Sequence, residues 1–177
     1  WANASNTPFR EYKHWVHEGG ISSPLIAHWP SGINAKRRGK LERQPGHLID
    51  LMATCVDLGQ ATYPKKVGST EIVPMQGTSL APAFNGKKIG RKKPIFWEHE
   101  GNREFRDGIW KVFAKGARGP WELYDLDKDR TELVDLSGKF PGRAKEMAAS
   151  WEQWFKATSG GTFKGRKRKG NKANRNK

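Results

Sequence analysis

The sequence predicts a mixed α/β chain that ends in a small antiparallel sheet with one helix packed on it. Three observations predict this. Between Pro94 and Tyr124, four short segments rich in aromatic and β-branched residues are separated by turns containing Gly and Asn. Behind Pro141, which suits a first helical position, Ala144, Met147, Trp151, Trp154 and Phe155 recur at helical spacing. Ahead of both lie one apolar run between prolines and one amphipathic stretch, strand then helix.

In chain order, residues 1–12 are polar, contain Pro8 and read as a loop. Gly19-Gly20 permits backbone conformations closed to other residues. Residues 24–30, mostly apolar and bounded by Pro24 and Pro30, read as a buried strand. Residues 31–45 are basic and loop-like. Leu48, Leu51, Met52, Cys55 and Val56 predict a helix over 47–58 that Gly59 stops. Asp50 within it reads as a cap or a buried hydrogen-bond partner. Residues 60–92 read as a long connection with one helical turn near 79–84. Strands are predicted at 94–98, 104–106, 109–114 and 121–124, with Asp107-Gly108 as a hairpin signal. The Trp residues at 97, 110, 121, 151 and 154 read as core for the sheet and helix. The tail from Thr158 is too polar to bury anything and is predicted to be disordered. The expected organisation is a core segment over 1–92, a sheet-and-helix subdomain over 93–157 and a basic tail over 158–177.

Charge narrows the partners. The chain has 33 Lys and Arg against 18 Asp and Glu, net +15, and eight of those positive charges fall in residues 158–177, which leaves +7 on the remainder. Such a balance suits anions: a sulfated or phosphorylated small molecule, a nucleic acid, or another polyanion gripped nonspecifically by the tail. Cys55 is the single cysteine, which excludes an intrachain disulfide and a thiolate metal cluster. No apolar run approaches the length of a membrane span. A Walker-type phosphate loop, a His-Glu-x-x-His zinc pattern and a Gly-x-Ser-x-Gly elbow are all missing from the sequence.

One long gapless pattern is more specific than any of this. Asn6-x-Pro8-x-Arg10-x-x-Lys13-x-x-x-x-Glu18-Gly19-Gly20, followed by Pro24 and Trp29-Pro30, resembles a segment of the sulfatases, arylsulfatase type. His47-Leu48-Ile49-Asp50-Leu51-Met52-Ala53-Thr54 resembles a helix of that family, with Ala53 where Pro is common. Gly77-Thr78-Ser79-Leu80 resembles its Gly-x-Ser-Leu turn. Trp97-Glu98, Gly101-Asn102-Arg103, Arg106-Asp107-Gly108, Trp110-Lys111 and Trp121-Glu122-Leu123-Tyr124-Asp125-Leu126 match, in order, the family's C-terminal sheet. Asp129-x-x-Glu132 continues the match, and Phe105 is a minor departure.

The resemblance implies the C-terminal part of an alkaline-phosphatase-like α/β core, followed by the antiparallel sheet and packed helix. It implies hydrolysis of sulfate esters by a formylglycine nucleophile made within Cys/Ser-x-Pro-x-Arg, with calcium held by Asp and Asn and a pocket completed by Lys and His. Lys13 falls at the family's sulfate-binding lysine and is the expected catalytic residue. His14, His17, His99 and Asn102 are the expected substrate-binding residues. Arg10 is expected to fix the loop, and Glu18-Gly19-Gly20 to shape the turn that presents Lys13. Cys55 is followed by Val56-Asp57-Leu58-Gly59, so it is not the nucleophile precursor. The nucleophile and calcium ligands are therefore expected upstream of Trp1, no metal ligand is assigned here, and the 177 residues alone are expected to be inactive. The implied partner is a sulfated small molecule or carbohydrate. A phosphodiesterase or phosphonate hydrolase on the same scaffold, and a polyanion-binding remnant driven by the tail, are the alternatives. Compartment stays open, although many members of the family are exported.

Overall fold

A computed structural model of the chain describes residues 1–161 and Phe163. Its helices are α1 (Ala2–Ser5), α2 (Glu18–Ile21), α3 (Ile49–Leu58), α4 (Ala81–Phe84) and α5 (Pro141–Ser159), with a 3₁₀ turn at Ala35–Arg37. Its strands are β1 (Lys66–Val67), β2 (Thr70–Glu71), β3 (Ile95–His99), β4 (Asn102–Asp107), β5 (Trp110–Ala114) and β6 (Trp121–Asp125). The chain divides into two compact units, Leu25–Lys93 and the pair of segments formed by Trp1–Pro24 and the chain from Pro94.

In the second of these units β3 to β6 form an antiparallel meander in sequence order. Gly108, at φ +57, closes the β4–β5 turn as the Asp-Gly signal predicts. Register sorts the side chains onto two faces. Phe96, Phe105, Val112 and Leu123 stand on one, and α5 covers them with Ala144, Met147 and Trp151. Trp151 is fully buried and its indole N–H donates to the Trp97 carbonyl at 2.8 Å. Val16 packs on the other face against Phe113, Tyr124 and Leu126, with Ile21 and Trp97 at the margin.

Leu25–Lys93 is built around α3. Gly59 caps it as expected, but its apolar face points outward: Leu48, Leu51, Met52 and Leu58 are exposed, while Asp50, Ala53 and Thr54 are buried. Of the two roles expected of Asp50, the structure shows the buried hydrogen-bond partner. Its carboxylate accepts from the His47 amide at 2.7 Å and also takes the Thr78 amide at 2.8 Å and an ion pair with Arg91. Thr54 adds a bond from its hydroxyl oxygen to the Leu80 amide.

Four expectations need correction. The run over 24–30 is neither a strand nor buried: Ile26 is 89% exposed. A strand persists only where a neighbour completes its hydrogen bonds, and among the described residues none pairs with it. The segment over 1–12 opens with one helical turn, α1, in which the Ser5 hydroxyl donates to the Trp1 carbonyl. The connection over 60–92 contains a two-residue hairpin, β1 with β2, besides the expected turn at α4. The tail begins later than expected, since Thr158 and Ser159 complete α5 and Phe163 packs edge-on against Trp151 and Phe155. The remaining tail positions lie outside the described residues.

Candidate functional site

Lys13 sits on a loop whose backbone is packed too tightly for side chains. A Cβ on Gly19 would meet the Arg10 and Glu11 carbonyl oxygens at 2.3 and 2.6 Å, and one on Gly20 would meet those of Trp15 and Tyr12 at 2.0 and 2.8 Å. Neither glycine has a positive φ. Gly19-Gly20 is thus required for close approach, not for the unusual dihedrals that the sequence suggested.

Beneath the loop lies a buried ionic cluster. Lys111, fully buried on β5, donates to the Val16 carbonyl at 3.0 Å and reaches Glu132 at 2.7 Å, Glu104 at 3.3 Å and Glu18 at 3.5 Å. Glu132 accepts the Glu18 amide at 3.0 Å, and Arg130 grips the Glu18 carboxylate at 3.0 Å from its other side. Burial works against the Lys111 charge, but Glu104, Glu132 and Glu18 outweigh it and hold its pKa above the ordinary lysine value. Burial also raises the Glu18 carboxyl, yet Lys111, Arg130 and Arg106 overcome that and hold it below the usual range. Glu104 is the opposite case: burial dominates and pushes it up to about 8. Glu132 is raised as well, again by burial. Glu18 is therefore an anchor facing the sheet. Lys111 and Glu132 entered the sequence reading only as matches to a family pattern and Glu104 only as the start of a predicted strand, because a charged residue signals its burial only through partners distant along the chain.

The five expected site residues divide. Lys13 is exposed, and among the described residues it makes no ion pair. His14 is half-buried, bonded through Nδ1 to Glu100 at 2.9 Å and stacked near His99 at 6.5 Å between ring centroids. His99 is exposed at the end of β3. These three come from the loop and the β3–β4 turn. Asn102 and His17 point inward. The Asn102 side chain donates to the His14 carbonyl at 2.7 Å and accepts from the Gly116 amide at 2.9 Å, so both ends of its amide are committed to backbone. His17 is buried against Phe113, with Arg10 at 3.2 Å from Nε2. Arg can only donate, so Nε2 accepts and the ring proton resides on Nδ1. Burial, then Arg10, Lys111 and Lys115, lowers the His17 pKa to about 3, which keeps it neutral at physiological pH. Arg10 also donates to the Tyr124 hydroxyl at 3.0 Å, so it ties the loop through side chains and not through the backbone carbonyls expected from the sequence.

Among the described residues one group of His and acidic side chains has metal-ligand geometry: His14, His99 and Glu100, whose donor atoms all lie within 4.8 Å of one another. Calcium prefers six to eight hard oxygen ligands, whereas two of these three donors are imidazoles. The residues present do not fit the family's calcium, and exposed Cys55 lacks the context for formylglycine.

A four-stranded meander with an aromatic helix on one face and a lysine-bearing loop tied to the other is the C-terminal architecture of an alkaline-phosphatase-like hydrolase. The solved structure of Ps i-CgsB superposes with a TM-score of 0.68 at 27% identity, over 84% of this chain and 32% of that one. By sequence, the chain is 28% identical over 157 residues to an uncharacterised sulfatase of Schizosaccharomyces pombe, covering 85% of this chain and 28% of the relative. It is 30% identical over 168 residues to human N-acetylgalactosamine-6-sulfatase, covering 88% of this chain and 32% of the relative. No family model matches. The chain is similar to sulfatases along most of its own length and spans about a third of the length of these relatives.

Proposed function

We propose that the protein to which these residues belong hydrolyses sulfate esters of carbohydrates, and that this chain supplies Lys13 as a catalytic cation with His14 and His99 as substrate contacts. The observation that carries the reading is the placement of Lys13: exposed, inside the sulfatase pattern, on a loop locked by Gly19-Gly20 and by the Glu18–Lys111 cluster. Sulfate transfer gathers negative charge on the sulfonyl and leaving-group oxygens. An ammonium held in place there stabilises that charge without reorganising at the moment of reaction. His14 and His99 flank the position with donors suited to a sulfate or a sugar hydroxyl. Asn102 and His17 act from below, Asn102 by holding the His14 backbone and His17 as a neutral spacer under Arg10.

A carbohydrate substrate is favoured by the names of the relatives. One is an N-acetylgalactosamine-6-sulfatase, and the Ps i-CgsB structure is also known in complex with k-i-k-neocarrahexaose. The relatives lend no support to phosphate ester hydrolysis. Calcium and formylglycine, which the family implies, are expected from residues other than these 177.

The test is sulfate release from a sulfated galactosamine by the whole protein. Lys13→Ala should lower kcat by about 10²–10³-fold. Absence of sulfate release by the wild-type protein, or full activity in the variant, would overturn the reading. The 177 residues alone should show no turnover.

A further inference from the structure

We infer that His14, His99 and Glu100 form a binding site for a first-row transition-metal ion of the zinc class. The donor set makes the case first. Two imidazoles and one carboxylate, with donor atoms within 4.8 Å of one another, match the ligand types of sites that take Zn²⁺, Co²⁺ or Ni²⁺ and not those that take Ca²⁺ or Mg²⁺. At metal–ligand bonds of about 2.0–2.1 Å, tetrahedral donors sit roughly 3.3 Å apart. His14 Nδ1 already lies 2.9 Å from Glu100 Oε2, within that spacing. A metal at this position would take the lone pair of His14 Nδ1, with the ring proton carried on Nε2, and one oxygen of the Glu100 carboxylate.

The backbone organises the three donors. His99 ends β3 and pairs with Asn102, which begins β4. Glu100, at φ +52, and Gly101, at φ +88, make the tight turn between them. The Glu98 carboxylate accepts the Gly101 amide at 2.8 Å and steadies that turn. His14 comes from a different segment, yet Asn102 at the base of the same hairpin holds its carbonyl at 2.7 Å. Two ligands on a braced turn and a third tied to its base lose little freedom on binding. Three protein ligands leave a coordination position open to water or an anion, one residue along the chain from Lys13.

The site shares His14 and His99 with the proposed substrate contacts, but its test reads metal binding alone and can fail or succeed whatever the outcome for sulfate release. Zn²⁺ titrated calorimetrically into the full 177-residue chain should bind one ion per chain. Co²⁺ should give visible d–d absorption on the same sites. His99→Ala and Glu100→Gln, both at exposed positions, should keep the far-ultraviolet circular dichroism of the wild type and each weaken Zn²⁺ binding at least about tenfold. Cys55→Ser and His28→Ala should leave it unchanged, which separates the site from the exposed thiol and another histidine. No Zn²⁺ binding by the wild-type chain, or a loss smaller than tenfold in either ligand variant, overturns the inference.

Discussion

The two faces of the β3–β6 sheet are buried by opposite means. Under α5 the contact is almost wholly aromatic and aliphatic. Trp151 stacks on Phe155 at 5.1 Å and Phe96 on Trp154 at 4.9 Å, the Trp151 N–H is met by a carbonyl, and the one buried charge, Arg103, lies over Trp121 and pairs with Glu152. Under the Lys13 loop the contact mixes a small apolar patch with one lysine and three carboxylates, all buried. The aromatic face needs only shape and exclusion of water. The ionic face gains little net stability from its charges, since desolvation offsets attraction, but it admits few alternative arrangements. Lys111 and Glu132 fix the backbone of Val16 and Glu18 at 3.0 Å each. The helix side thus supplies stability, and the loop side supplies position for the segment that carries Lys13.

Mutations can break that contrast. The largest effect is expected from Trp151→Ala, which empties a fully buried volume and leaves the Trp97 carbonyl without its donor; the loss should be about 4 kcal/mol in denaturant unfolding. Lys111→Met should follow at about 3 kcal/mol, because it leaves three buried carboxylates with no buried cation among them. It should also raise amide exchange at Val16 and Glu18, which Trp151→Ala should spare. Equal exchange in the two variants would erase the division of labour.

Glu104→Gln should have the smallest effect at neutral pH, below about 1 kcal/mol, and the most informative one across pH. The folded-state pKa of Glu104 is raised to about 8, above its value in an unfolded chain. A raised carboxyl favours the folded state while it keeps its proton, so that contribution is complete below about pH 4.5 and is lost as pH rises through about 8. Wild-type stability should carry this downward trend between those limits, and Glu104→Gln should remove it. An unchanged pH profile in the variant would place the trend on another group, with Glu132, also raised, the next to substitute.

The same contrast separates what was legible in the sequence. The helix face could be read almost entirely, because Ala144, Met147, Trp151, Trp154 and Phe155 announce themselves by period and composition. The loop face could not. Glu18, Glu104, Lys111 and Glu132 look like ordinary surface charges, and nothing local says that they meet. Of the residues expected at the site, Lys13 came from the family pattern, His14 from its place beside Lys13 and His99 from the end of its strand; they lie on the loop and at the end of β3. Glu100 was missed because a turn carboxylate gains meaning only when two histidines from other positions come within reach. The helix period of α3 was also read correctly, but the period alone does not say which side is buried: Asp50 and Thr54 face inward and accept from the Thr78 and Leu80 amides.

By itself the sequence determined α3, the four strands of the β3–β6 sheet and α5 in their order, the turn at Asp107-Gly108, the aromatic helix face and the sulfatase pattern around Lys13. These depend on local propensity, periodicity and short motifs, all carried by neighbouring residues. Only the tertiary structure decided that Gly19-Gly20 serves close approach, that the run over 24–30 is exposed, that Asn102 and His17 face inward while Lys13 faces out, and that a buried lysine joins three glutamates under the loop. Each of those depends on groups tens of residues apart being desolvated together, and the energy of a charge or a polar contact is set by that shared environment, not by the residue's place in the chain.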